Sequence, residues 1–208
     1  MSEGLDIAIV KEMYRRFSDA ELIRFASTDA HGLTPEAQQA IKEEINFRRL
    51  DPGIVDAIDI QNKLLTLEEL DSYCVLVLNS GCPICNSRQV MNAIVVSETM
   101  SFILFTHQKK KLLFGCSKCL KTENNTALLT TIILGWWGFP HGIIRSIGSI
   151  STYIKSSGTL KSSGINNNMR DFVQSNIGLF KMYKDSPENL ALIIQNHNNG
   201  IQSSANNV

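Results

Sequence analysis

Over the first 70 residues, apolar positions return every three to four residues, the spacing of amphipathic helices. Leu5, Ile7, Ala8, Ile9, Met13 and Phe17 fall on one broad face of a first helix. Ser18 and Glu21 have the spacing of a capping box, so a second helix is predicted to start at Asp19. Thr34 followed by Pro35 and Glu36 gives an N-cap, a proline in the first turn and an acid at the positive end of the dipole. The helix they open runs to Arg48 and Arg49, which suit its negative end. Asp51-Pro52-Gly53 is a turn signal, a short helix follows, and Thr66 with Glu69 caps one more.

From Tyr73 the pattern changes. "YCVLVL" is rich in β-formers, "QVMNAIVVSE" and "SFILFTH" read as strands, and "KKKLLFG" reads as a return strand with a basic tip at "HQKKK". After the polar "KTENN" comes an apolar stretch, "TALLTTIILGWWGFPHGIIRSIGSISTYIK", broken at its glycines and proline. "KSSGTLKSSG" has the composition of a flexible linker. Phe172, Val173, Ile177, Phe180 and Met182 mark a further helix, and Ser186-Pro187-Glu188 opens a last one. The predicted fold class is α+β. A helical bundle spans 1–72, a β zinc ribbon 73–123, a hydrophobic helix-turn-helix 124–154, a linker 155–168, C-terminal helices 169–198 and a disordered tail 199–208.

Charge divides the chain in the same way. Residues 1–81 carry fifteen acids and eight bases, a net of −7, and residues 82–208 carry five acids and twelve bases, a net of +7. The N-terminus has early acids and lacks an apolar core of signal-peptide length, so it reads as a helix and the protein is expected in the cytoplasm. Thiols there stay reduced, which turns attention to the cysteines.

Four of the five cysteines form two CxxC pairs, Cys82 with Cys85 and Cys116 with Cys119, thirty residues apart. Two such turns carried on a hairpin close a tetrahedral thiolate shell, so one structural Zn2+ is predicted, with no open coordination position for catalysis. Gly81 and Gly115 suit the close backbone approach at each turn. Two other readings compete: a redox CxxC, which belongs at a strand-to-helix turn, and small buried thiols without a ligand role. Cys74 lies in an apolar run and reads as a core thiol, and His107 as a surface residue.

Lys109, Lys110 and Lys111 could contact phosphates of nucleic acid or of lipid headgroups, or simply keep the strand end soluble. From Asn124 to Ile144 there are twenty-one residues without a formal charge, but glycines, Pro140 and threonines make a poor span. Trp136, Trp137 and Phe139 beside that break are expected at a membrane interface, with bases on both flanks; the competing reading is the core of a soluble domain.

The two CxxC pairs followed by "LLTTIILGWWGFPHGIIRS" resemble an uncharacterised group of zinc-ribbon proteins in which a knuckle leads through a short helix to a GWWGfPwG turn. The resemblance covers roughly residues 20–150, with His141 standing where that pattern usually has tryptophan, and implies Cys82, Cys85, Cys116 and Cys119 as ligands but no activity. The chain has no P-loop, GxGxxG, GxSxG or HExxH, and no small-molecule substrate is indicated. The expectation is a non-enzymatic zinc protein, membrane-associated on the cytoplasmic side, with an unidentified protein partner. A soluble nucleic-acid-binding ribbon and a thiol oxidoreductase are the alternatives.

Overall fold

A computed structural model describes residues 7–102, 105–137, 141–162 and 164–200. The fold is α+β and mostly helical: among the described residues, ten helices surround one two-stranded antiparallel sheet.

The N-terminal bundle comprises α1 (Ile7–Arg16), α2 (Asp19–Thr28), α3 (Pro35–Phe47) and α4 (Gly53–Gln61). The capping box at Ser18 and Glu21 forms, and the Thr34 side chain accepts from Ala37 N–H. The core holds Val10, Tyr14, Leu22, Ile41, Ile45, Ile54 and Ile58. On α1 the buried face is Val10 and Tyr14, whereas Ile9 and Met13, expected inside, are 66% and 41% exposed. Tyr14 sets that rotation by packing its ring against Phe17 and Phe25. Arg48 serves a different helix end from the one expected. Its guanidinium donates to the carbonyls of Tyr14, Arg15 and Phe17 and pairs with Asp19, so it caps α1 and ties α3 to the α1–α2 turn.

Helix α5 (Leu67–Asn79) contains residues 73–78, which the sequence suggested as a strand. The Thr66–Glu69 capping box starts the helix, and Leu70, Cys74 and Val77 then share one buried face at helical spacing. Tertiary burial overrides the β-preference of the valines and tyrosine.

Strand β1 (Met91–Phe102) pairs with β2 (Phe105–Cys116), from Met91 opposite Cys116 to Phe102 opposite Phe105. The lysines are not at the hairpin tip: Lys109, Lys110 and Lys111 lie opposite Glu98, Ser97 and Val96, several residues back. At the base, Met91, Ala93 and Phe114 pack with α5 and with α8 (Asn167–Ser175), α9 (Ile177–Met182) and α10 (Pro187–Asn198). Asn176 interrupts what the sequence suggested as one helix, and Phe172, Val173, Ile177 and Phe180 are all buried there. Gly178 lies so close to Ser27 O that a Cβ could not fit, and Met182 packs into the bundle core, so α9 joins the bundle to the remainder.

Helix α6 (Ser117–Leu134) runs from the base of the hairpin toward its tip, and α7 (His141–Thr159) returns. The polar "KTENN" lies within α6 and does not break it. The "KSSG" stretch, expected as linker, begins as the last turn of α7: Ser156 is buried and donates to Val95 O at 2.6 Å, and Leu160 packs beside Ile94 and Val96. Both helices, with Asn166 at the N-cap of α8, cover the open edge of β1. Thr99 N–H donates to Thr131 Oγ1 at 3.0 Å, and Asn166 Nδ2 donates to Ala93 O at 3.1 Å. Side chains thus satisfy backbone groups that an added strand would otherwise take. The tail from 201 onward lies outside the described residues.

Candidate metal centre

The first CxxC turn begins directly after α5. Gly81 has φ +81°, a left-handed conformation that glycine adopts without strain. Cys82 N–H donates to Ser87 O at 2.8 Å, and Asn86 N–H donates to Cys82 O at 2.8 Å, closing a tight knuckle around Cys85. The second pair lies where β2 becomes α6. Cys116 is the last residue of the strand and the N-cap of the helix, and Cys119 is in its first turn. Negative sulfur is favoured at that position by the helix dipole. A Cβ at Gly115 would come within 3.1 Å of Ile84 Cδ1, so the two turns meet across a glycine.

The Sγ atoms of Cys82, Cys85, Cys116 and Cys119 all lie within 4.8 Å of one another. Cys85 Sγ and Cys116 Sγ are 3.8 Å apart. A tetrahedron with metal–sulfur bonds of about 2.3 Å has edges of about 3.8 Å. The donor set and its size therefore fit one ion. Cys116 N–H donates to Cys82 Sγ at 3.2 Å, support that a thiolate ligand uses. Cys82 and Cys116 are buried, Cys119 is half-buried and Cys85 is exposed.

Protonation points the same way. The Ser87 hydroxyl, then the Ser87 backbone and the thiols of Cys119 and Cys82, pull Cys85 down to about 6. Cys119 is pushed up, first by burial and then by Cys85 and Cys116. One thiolate forms readily and the next is opposed by burial and then by its neighbours; a divalent cation offsets that opposition. Cys74 stands apart, fully buried and pushed up to about 11 by burial, as a core thiol would be. The second pair does occupy a strand-to-helix turn, the setting of a redox motif, but its sulfurs converge with those of the other pair. Ser87 had no sequence signal beyond its place two residues after Cys85.

The remaining predicted residues lie elsewhere. Lys109 and Lys110 are exposed, and Lys111 is half-buried, 3.9 Å from Glu123. Trp136 and Trp137 are 43% and 70% exposed, and Trp137 Nε1 donates to Ile133 O at 2.9 Å. Phe139 lies outside the described residues. No described helix is long and apolar enough to cross a membrane.

A second constellation escaped the sequence reading. Ser149 of α7 is buried and its Oγ lies 2.7 Å from Ser97 Oγ and 2.8 Å from Thr99 Oγ1, while Gln108 Nε2 donates to it at 3.1 Å. Facing the hairpin, α7 buries Gly142, Ser146, Ser149 and Ser156; facing outward it exposes Ile144, Ile147 and Ile154. Helix α6 buries Asn124, Ala127 and Thr131 alongside Leu120 and exposes Leu129, Ile132 and Ile133, and Trp136 is exposed just past its end. Arg145 Nη1 donates to Thr106 O at 3.0 Å, and a Cβ at Gly142 would clash with Ser101 Oγ and Gly135 O. These contacts bring Gly135 at the end of α6 and Gly142 at the start of α7 against Ser101 near the end of β1, beside Phe102 and Phe105, which are 65% and 78% exposed.

No family model, curated protein or solved structure matches the chain. The resemblance to a zinc-ribbon group thus has no family match behind it, and the four-cysteine cluster is the part of it with structural support.

Proposed function

We propose that this protein is a non-enzymatic docking protein in which one structural zinc ion, held by Cys82, Cys85, Cys116 and Cys119, clamps the base of a hairpin whose other end sits in the cytoplasmic face of a membrane. The N-terminal bundle and C-terminal helices are then free to meet a protein partner. Zinc is favoured over other divalent ions by four thiolates at tetrahedral spacing. Four protein ligands leave the ion no open position, so its role is structural.

The observation that carries the membrane reading is the reversed polarity of α6 and α7. They turn mainly serine, threonine, asparagine and glycine toward the hairpin and expose isoleucine and leucine, alongside Lys121, Arg145 and Lys155, with Trp136 and Trp137 exposed just past the end of α6. In water such an outward stripe is unfavourable by roughly 25 cal/mol per Å2 of apolar surface left exposed. A lipid interface removes that penalty without requiring a span, and indoles are at home there.

The test uses the full-length, zinc-loaded chain, whose only two tryptophans are Trp136 and Trp137. Their emission is expected to shift to the blue when vesicles are added, and the protein is expected to float with them. Trp136→Ala with Trp137→Ala should leave the protein folded and in the soluble fraction. Emission already blue without lipid, from a chain that sediments as a tight dimer, would assign the stripes to a second copy and end the membrane reading. Metal analysis under reducing conditions should give one zinc per chain.

A further inference from the structure

Resting on that reading, we propose that the surface this protein docks on is anionic, and that Lys109, Lys110, Lys121 and Lys155 form a belt that engages lipid phosphates and carboxylates while the apolar end enters the acyl boundary.

The sequence is lopsided around this lobe. The lobe, residues 91–170, contains nine bases and two acids: Glu98, opposite Lys109 in the sheet, and Glu123, which is already beside Lys111 at 3.9 Å. Lys109, Lys110, Lys121 and Lys155 are exposed, and none has a carboxylate within 4.0 Å among the described residues.

The four lie within about four residues of strand, roughly 13 Å, along the lobe. Lys110 and Lys109 are opposite Ser97 and Glu98 in the sheet. Lys155 adjoins Ser156, which donates to Val95 O. Lys121 adjoins Leu120, which packs with Ile94 and Val96. From the tip residue Phe105 to Lys109 and Lys110 is about 15 Å of strand. From Ile144 to Lys155 is about 16 Å of helix. Tipward of the lysines lie the exposed side chains of Phe102, Phe105, Ile133, Trp136, Trp137 and Ile144. Among the described residues, the exposed ionisable groups there are Arg145, which donates to Thr106 O, His107 and His141. An interfacial element buries its apolar face about 5–10 Å below the headgroup boundary. At that depth Lys109 and Lys110 reach the headgroup layer, about 5–8 Å thick on each side of a bilayer, and Lys155 and Lys121 lie at its outer margin.

The rest of the molecule fixes the orientation. The acidic bundle, in the −7 half, joins the lobe through α9 and the C-terminal helices, at the hairpin's base and away from its tip. A negative surface attracts one end of this protein and repels the other.

Flotation of the full-length zinc-loaded protein on phosphatidylcholine vesicles, with and without phosphatidylserine, tests this. Binding should be at least about tenfold tighter with phosphatidylserine and should weaken as salt rises from about 0.05 to about 0.5 M. Lys109→Gln, Lys110→Gln and Lys155→Gln together should cost about 100-fold, since each base near such a surface contributes roughly fivefold. Lys11→Gln with Lys63→Gln, on the acidic side, should change nothing. Equal, salt-insensitive binding to both vesicles overturns the anionic belt and leaves the membrane reading intact. Binding to neither overturns both. If a single-stranded RNA displaces the vesicles and needs the same lysines, the belt serves nucleic acid and the lipid assignment is wrong.

Discussion

Helices α3 and α7 have the same period and opposite polarity. Helix α3 buries Ala37, Ala40, Ile41 and Ile45, and exposes Glu36, Gln39 and Glu43. Helix α7 buries glycine and serines and exposes isoleucines. Both are amphipathic by any pattern that counts only spacing. The difference lies in what each packs against. Helix α3 faces other helices and gains by excluding water from apolar surface. Helix α7 faces an open strand edge and the polar face of a hairpin, where backbone and hydroxyl groups require partners. Periodicity therefore says that a helix has two sides, and the neighbour decides which is inside.

The largest expected effect separates the metal-clamped region from the bundle. Removing the ion with a chelator, or making Cys116→Ser, should strip hydrogen-exchange protection from amides 91–116, because binding energy of about 10–16 kcal/mol for structural zinc is also folding energy. Amides of α3 should keep their protection. Uniform loss across both, or no loss in either, would erase the distinction.

Next comes a matched pair of truncations. Ile41→Ala, in the bundle core, should cost about 2–5 kcal/mol by urea unfolding. Ile147→Ala, on the outward stripe of α7, should stay within about 0.5 kcal/mol and weaken vesicle binding instead. Similar stability losses would mean that Ile147 is covered in the free protein.

Smaller again is the cost of Ser149→Ala, about 1–3 kcal/mol, because Ser97, Thr99 and Gln108 all lose a partner in a buried setting. A neutral result would show that the hydroxyls around Ser149 re-pair among themselves.

The gentlest probe is pH. Burial beside Phe114 and Phe172 holds His197 below its ordinary 6.5. The unfolded chain therefore takes up the proton first. The contribution is fully present above about 6.5 and drains as pH falls toward the folded value. Thermal unfolding scanned from about pH 7 to about pH 5 should show a falling Tm, and the slope should be reduced in His197→Gln.

Much of this was legible in the chain. Caps at Ser18, Thr34 and Thr66 were readable because capping is local chemistry. The cysteine cluster was readable because ligand spacing encodes geometry. The β-rich residues 73–78 misled because burial of Leu70, Cys74 and Val77 on one face outweighs intrinsic preference. Ser156 reads as linker until β1 is known to need its edge covered. Long-range partners such as Asn92, which accepts from Asn166 and donates to Ser162 O, have no local signature at all.

Cys116 ends a strand and begins a helix, which makes the metal centre a fulcrum. Helix α6 has 18 residues, a rod of about 27 Å, with Trp136 and Trp137 just past its far end. A tilt of about 10° at the sulfurs would swing that end by about 5 Å, comparable to the thickness of a headgroup layer. Loss or exchange of the ion would therefore be amplified at the indoles, and tryptophan emission would report coordination from the opposite end of the helix.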